Sequence, residues 1–480
     1  MTTPAAIGPL TRFGRRQTKG LLLGYSGPVV FVVGTGVLVL AISLFAGGMT
    51  GLIVTLPVGA PLVAAGFVRW QAAPVIESVP LLVHWKVRRA AGQTRYRVKA
   101  SEPRPAGAMG LPGDAAGLRF YDDPDTGVAM VHDPYRQTLS AVVHVSHPAF
   151  VLLDPAEQGR RVSGWSRVLA GLASTGTCAA VQVLESVIPD PGRGVVGWWR
   201  DHGLHDGSWA AREYDSLMAT AAPSASSHRT FITLVLDLKR AGKSIREAGR
   251  GLAGAATVLA GDMSNLDAAL RNANLRVVGW LSATELAIVI RQAYDPELTL
   301  APGDPGARLT LGPAAIDEHW DHLRHDCGYS AVLWISDWPT AEVPPSFLHA
   351  LIFASGVRRT LSLIAKPLGT QEAMRAIRKE KVDYLTDQAQ KAKTGRIIDQ
   401  SDDQEYADVL ARERALVAGH ADMRYCGFLT LTASTLEQLR AAVAHTQRVA
   451  TGCMLETRVL YGRQAQGFIV AALPLGRAVS

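Results

Sequence analysis

Gly242-Lys243-Ser244 follows an apolar, strand-like run at 231–238, which is where a phosphate-binding loop would stand. Such a loop needs G-x-x-x-x-G-K-S/T, and its first glycine lets the backbone wrap the phosphates. Asp237 holds that first position and would set a carboxylate against them. The stretch therefore reads as the polar start of a helix over 245–259. His319, His322 and His325 recur at every third position within 318–326, and on a helix such neighbours share a face that could ligate zinc. The spacing is not that of H-E-x-x-H, and the outer pair lies far round a helix. The plainer reading is a hydrogen-bonded surface cluster in which Trp320 and Leu323 pack. Trp320, Asp321, His322, His325 and Asp326 are then candidates for docking a partner. The cysteines Cys178, Cys327, Cys426 and Cys453 include no C-x-x-C pair, which excludes a zinc ribbon and a disulfide scaffold. There is no G-x-S-x-G motif, and Asp122-Asp123 and Asp402-Asp403 stand in loops or helix starts, the ordinary place for acids. Trp198-Trp199 with Trp209 reads as a packing cluster or a partner surface. The expectation is a chain with no catalytic residue, no cofactor and no metal, hence not an enzyme.

The elements that position these residues follow from the apolar periods. Of the 480 residues 48% are hydrophobic and 19% charged, which excludes a wholly disordered chain and allows two to four domains. Strands are predicted over 127–132, 138–145, 179–188, 229–238, 275–281, 330–336, 359–366, 428–432 and 454–460. Helices are predicted over 158–174, 208–221, 246–259, 266–272, 283–293, 314–325, 346–353 and 436–451. Ser282 with Glu285 has the form of a capping box, and Ser434 with Glu437 is expected to cap the helix after it. The Pro/Gly-rich stretches 102–117 and 295–313 read as linkers. The charged stretch 370–419 reads as a protruding helical hairpin turning near Gly395 or Ser401, with Val382, Tyr384, Leu385, Ile397 and Ile398 as its apolar stripe. The expected fold is α+β: two ferredoxin-like (split β-α-β) layers plus that hairpin, preceded by a transmembrane helical hairpin. The expected divisions are a tail at 1–27, the transmembrane hairpin at 28–70 and a basic juxtamembrane segment and linker at 71–117. Two cytoplasmic domains follow at 118–300 and 301–480, the second carrying 370–419 as an insertion.

The membrane reading rests on charge. Lys19 and Arg69 bound 49 residues without a charged side chain, whereas one span needs about 20 apolar residues. Two spans, 28–45 and 52–68, are predicted, with Gly47, Gly48 and Thr50 in the turn. Arg12, Arg15, Arg16 and Lys19 precede the first span, and Lys86, Arg88, Arg89, Arg95, Arg97 and Lys99 follow the second. Both flanks therefore prefer the cytoplasm, and both termini should lie there. The second cluster would face anionic lipid headgroups.

Several segments resemble a family of actinobacterial membrane proteins linked to conjugation and type IV-like secretion. They are the double-span hairpin, Trp165-Ser166-Arg167-Val168-Leu169-Ala170, Leu281-Ser282-Ala283-Thr284-Glu285-Leu286, Ala293-Tyr294-Asp295-Pro296, Trp320 to Asp326, Tyr461 to Phe468, and Leu473-Pro474-Leu475-Gly476. In that family a PrgI-like hairpin is joined to a region similar to the amino-terminal half of the VirB/TraE-type conjugation ATPase. Leu473 to Gly476 looks like the point where such an ATPase would continue into its nucleotide-binding domain. The resemblance implies a non-enzymatic inner-membrane scaffold, without that domain, that docks a separate P-loop motor ATPase. Other membrane subunits, anionic lipid and further copies of the chain are its expected partners. A two-span membrane subunit of a type VII secretion translocon is one alternative. A membrane-anchored hydrolase using Lys243, or zinc at His319 and His322, is another.

Overall fold

The computed structural model describes residues 13, 27–70, 73–98, 107–147, 150–189, 193–221, 226–295, 298, 312–354, 356–393 and 400–477. Lys99, the basic residues before the first span, Gly395, Ile397, Ile398 and most of 295–313 lie outside them. The apolar segment is α1 (Gly27–Phe67), helical except at Gly48, whose φ of 56° and ψ of −148° turn the chain. Its two arms touch. Ser43 Oγ lies 2.6 Å from Thr55 Oγ1, and a Cβ on Gly36 would meet Leu62 and Val63 at 3.0 Å. Phe31, Phe45 and Val54 point away from the protein. Strands β1 (Arg69–Trp70) and β2 (Ala73–Pro74) form a tight ladder that leads into α2 (Val75–Ala90) and β3 (Arg95–Arg97).

Strand β3 and all later strands form one antiparallel sheet, with β3 paired to the strand Ala315–Glu318 at its edge. Its first part comprises β4 (Arg119–Asp122), β5 (Ala129–Asp133), β6 (Thr138–Ser146), α3 (Pro155–Ser174), β7 (Cys178–Pro189), α4 (Arg193–His202), α5 (Trp209–Ala221), β8 (Ser226–Asp237), α6 (Gly242–Glu247), α7 (Gly251–Asn272), β9 (Arg276–Trp280) and α8 (Ala283–Tyr294). Here β6 lies between β9 and β8, and β8 pairs with β7. The second part comprises β10 (Ala315–Glu318), β11 (Leu323–His325), β12 (Gly328–Asp337), α9 (His349–Ile352), β13 (Arg358–Pro367), α10 (Thr370–Lys393), α11 (Gln400–Val417), β14 (Met423–Ala433), α12 (Leu436–Gly452), β15 (Glu456–Val459) and α13 (Gln464–Ala472). Here β12 lies between β15 and β14, and β14 pairs with β13. Counted in chain order, the last four strands of each part, β6 to β9 and β12 to β15, thus stand fourth, first, third, second across the sheet. The two parts do not form separate layers, because β7 and β13 pair edge to edge and the sheet runs on across them.

Alternation along the strands gives the sheet two apolar faces. Ile232, Leu234 and Leu236 face α3 and α7, and Leu429 and Leu431 face α12. Val142, Leu184, Phe231, Val332, Ile364 and Phe428 form a single core on the opposite face. The helix α13 lies on that core and is buried without a break from Gly467 to Ala472, with Phe468 fully buried. Met109, Leu111 and Ala115, in the stretch read as linker, are buried beside it.

Several boundaries differ from the sequence reading. The helix predicted over 314–325 is the β10–β11 ladder, because Ile316, Glu318, Leu323 and His325 are buried in period two while Arg324 is exposed. Helix α9 shrinks to four residues. Thr435, not Ser434, caps α12 through Gln438 N at 3.3 Å. The capping box at Ser282 is formed, with Ser282 N donating to Glu285 Oε2 at 2.8 Å. The charged stretch is two helices packed side by side, with Tyr384 stacked on Tyr406 and Arg412 paired with Glu380. Ser401 lies within α11.

Gln182 ties the seam together. Its Nε2 lies 2.9 Å from Ser362 Oγ, 3.1 Å from Val470 O and 3.0 Å from Leu473 O, and its Oε1 accepts from Gly476 N at 2.7 Å. Replacing Gln182 with Leu keeps the volume but leaves these buried groups without their partner. We expect a loss of about 2–4 kcal/mol, read as a drop of several degrees in the melting temperature of the detergent-solubilised protein.

Candidate functional site

The predicted docking residues gather where β10–β11, α2 and the loop before α13 meet. Glu318 is at their centre, its side chain 1% exposed. Its Oε2 accepts from Arg88 Nη2 at 2.7 Å, and its Oε1 from the backbone N–H of Ala465, in the first turn of α13, at 3.1 Å. Burial pushes the Glu318 carboxyl up, against the opposing pull of Arg88 and of the α13 backbone. Arg88 also donates to Gly462 O at 3.2 Å. Trp320 lies edge-on to Trp85 at 5.3 Å and tilted against Tyr461 at 5.6 Å, and its carbonyl accepts from Gly462 N at 2.8 Å. Gly462 has φ +66°, and a Cβ there would fall 2.7 Å from the Trp320 ring, so the position needs glycine on two counts.

The remaining members of the cluster divide by burial. Asp321 is near the surface and bonds His322 Nδ1 at 2.7 Å, which lowers its carboxyl pKa. His322 is buried and stacks on His319 at 4.4 Å. Burial, with His322 beside it, lowers the His319 pKa. His325 is inside the core. Its Nδ1 donates to the Tyr294 carbonyl, so the neutral ring must accept at Nε2 from Ser330 Oγ, 2.7 Å away. Burial lowers its pKa to about 4. Asp326 Oδ1 accepts from the Ala314 and Ala315 amides, and Oδ2 pairs with Arg291 at 2.8 Å. The three histidines therefore do not converge: half-buried His319 and buried His322 stack on each other, and His325 serves the core.

The basic cluster divides in the same way. Arg88 is internal, Arg97 donates to Ile316 O at 2.9 Å, and Arg95 lies 3.7 Å from Asp317. Lys86 and Arg89 are exposed on α2, Arg89 over the Trp85 ring at 5.1 Å. Lys99 lies outside the described residues. At the phosphate-loop candidate, Asp237 Oδ1 accepts from Lys239 N and Arg240 N at 2.9 and 3.0 Å, closing the turn, and Lys243 is exposed. Sequence reasoning did not single out Trp85, and it named Gly462 only within the segment Tyr461 to Phe468 and gave it no role. It also missed the apolar row Val79, Val83 and Val87 on α2, whose four-residue spacing was the available signal.

Residues 224–335 match the model of a family described as "Putative type VII ESX secretion system translocon, EccE". The match runs from β8 to β12 and includes Glu318 and the cluster from Trp320 to Asp326. No curated protein matches the chain. The family is a secretion-system membrane family, but it is not one of type IV secretion or conjugation. The match supports a membrane subunit of a type VII secretion translocon, the first alternative above, over the conjugation scaffold.

Two titrations test this site. Arg88→Ala leaves Glu318 buried without its cation, which costs about 3 kcal/mol or more when Glu318 is ionised. A carboxyl with a raised folded pKa binds its proton more tightly folded than unfolded, so the penalty shrinks as pH falls. We expect the melting temperature of Arg88→Ala to trail the parent protein by more at pH 8 than at pH 5. His325 has a lowered folded pKa, so the unfolded chain binds the extra proton between about pH 6.5 and 4, and acid weakens the fold there. His325→Gln removes that contribution, and the difference in stability from the parent should narrow or reverse as pH falls through this window.

Proposed function

We propose that the protein is a membrane subunit of a type VII secretion translocon that holds a cytoplasmic α+β platform against the bilayer. The observation that carries this is the family match over 224–335 in a chain whose α1 is long and apolar enough to cross a membrane. Each arm of α1 has about 20 residues, or ~30 Å of helix, the thickness of the hydrocarbon core. The turn at Gly48 and the contact between the arms support two spans that enter and leave on one side. The basic residues on either flank favour the cytoplasm for that side. In this reading each part of the sheet is a ferredoxin-like unit, and the platform meets other membrane subunits and a separate P-loop motor ATPase. The protein itself performs no bond chemistry.

Mild-detergent purification of the tagged chain from its own membranes tests the reading. Type VII translocon subunits should co-purify, deletion of 27–67 should abolish their recovery, and Lys243→Ala should leave it unchanged. A cysteine at Met49 should react with an impermeant reagent outside the cell, while one in the sheet should not. Recovery of the chain alone, or with conjugation proteins, would refute the assignment.

A further inference from the structure

The helix α2 touches the end of α1 and the β1–β2 ladder at its start and the sheet along one face, and it leaves one apolar stripe uncovered. Trp85 and Arg88 pack on the sheet side, whereas Val79, Leu82, Val83 and Val87 are 43%, 37%, 55% and 61% exposed and form one stripe on the other side. Lys86 falls within this stripe and Arg89 beside it. What covers the stripe follows from its place in the chain. Val75, the first residue of α2, donates its N–H to Val68 O at 3.0 Å, immediately after α1 ends at Phe67. The β1–β2 ladder holds this turn shut. A helix that starts within one hydrogen bond of the end of a membrane span starts at the level of the headgroups.

We propose that α2 lies in the bilayer interface with Val79, Leu82, Val83 and Val87 buried at the headgroup–acyl boundary. This rests on the membrane reading above and adds the surface by which the platform meets lipid. An amphipathic helix with an exposed apolar stripe and basic residues to reach the headgroups, here Lys86 within the stripe and Arg89 at its edge, suits a position about 5–10 Å into that boundary. Lys86 reaches past the stripe to the phosphates by its flexible stem. The lipid-facing cations are thus Lys86 and Arg89, and Arg88 is the bolt on the opposite face. Through the Arg88–Glu318 pair and the Trp85–Trp320 contact, the depth of α2 sets how the whole sheet stands on the membrane.

The full chain with Cys327→Ser and Cys426→Ser, reconstituted in vesicles of phosphatidylcholine and phosphatidylglycerol, tests this. One added cysteine at a time, Val83→Cys, Ile42→Cys or Val382→Cys, carries an environment-sensitive fluorophore, while Cys178 and Cys453 stay buried. The label at 83 should shift to the blue and lose emission to lipids brominated near the glycerol end of the acyl chain. The label at 42 should respond to deep bromines, and that at 382 to iodide in the water. If 42 responds as expected while 83 behaves like 382, or is shielded from both quenchers as under a protein partner, the interfacial helix is refuted and the membrane anchor stands. If 42 is also open to iodide, both readings fall.

Discussion

Seven paired positions between β7 and β13, from Val187 opposite Arg359 to Val181 opposite Ala365, hold this molecule together. Without them each part of the sheet would end in a bare edge with unpaired backbone groups, a template for aggregation. The pairing also creates the surface on which α13 lies. A buried helix can approach a sheet closely only where the sheet presents small side chains. Ser362, Thr233 and Thr430 supply these along the middle strands. Of the hydroxyls carried inward, that of Ser362 is met by Gln182, which also meets three backbone groups of the terminal segment, while Thr233 Oγ1 and Thr430 Oγ1 stay buried without a hydrogen-bond partner. Gly476 completes the fit at φ +64°, since a Cβ there would fall 2.2 Å from Val235. Arg477 then pairs with buried Asp133 at 3.0 Å, drawing β5 into the same lock.

Glu318 does for the membrane end what Gln182 does for the seam. A carboxylate buried to 1% exposure is costly unless it is paired and hydrogen-bonded, and both conditions are met by groups from distant parts of the chain. Arg88 comes from the helix next to α1, and the Ala465 amide from the start of α13. The positive end of the α13 dipole favours the same charge. One side chain thus couples the juxtamembrane helix, the β10–β11 ladder and the helix over the seam, and bending any one of them exposes an unpaired charge.

The sequence was most legible where periodicity is long and local. The strands expected over 179–188, 330–336 and 359–366 extend by one or two residues at each end, and the helix expected over 283–293 gains one. Its capping box is a local hydrogen-bond pattern that no distant contact has to complete. The stretch 314–325 misled because three histidines at every third position suggest a helical face, while the buried set, Ile316, Glu318, Leu323 and His325, has the period of a strand. A buried Glu and a buried His are apolar positions in disguise, and only their distant partners, Arg88 and the Tyr294 carbonyl, reveal it. The division of the basic cluster was invisible for the same reason, since Arg88 and Arg89 are adjacent in the chain but serve opposite surroundings. The resemblance to conjugation proteins drew on short motifs that the structure uses for packing, such as Leu473 to Gly476 under Gln182. Packing motifs of this kind report a fold, and they say little about which machine contains it.

The two parts of the sheet also place their excursions alike. In both, a pair of helices leaves between equivalent strands: α4 and α5 between β7 and β8, α10 and α11 between β13 and β14. This connection interrupts no ladder, because β7–β8 pair from Pro189–Ser226 back to Cys178–Leu236, and β13–β14 from Arg358–Thr432 to Pro367–Met423. The cost of lengthening such a connection grows only slowly with the number of residues, so arms can be added there without weakening the core. The chemistry of the two arms then diverges. The α10–α11 arm is held by ion pairs, Arg412 with Glu380 and Lys381 with Glu413. The α4–α5 arm is held by Trp199, which donates to Asp215 at 2.6 Å and packs on Tyr214, while Trp198 and Trp209 remain largely exposed. One sheet architecture thus presents a charged arm and an aromatic arm at equivalent connections, and the rigid seam between β7 and β13 links the strands that launch them.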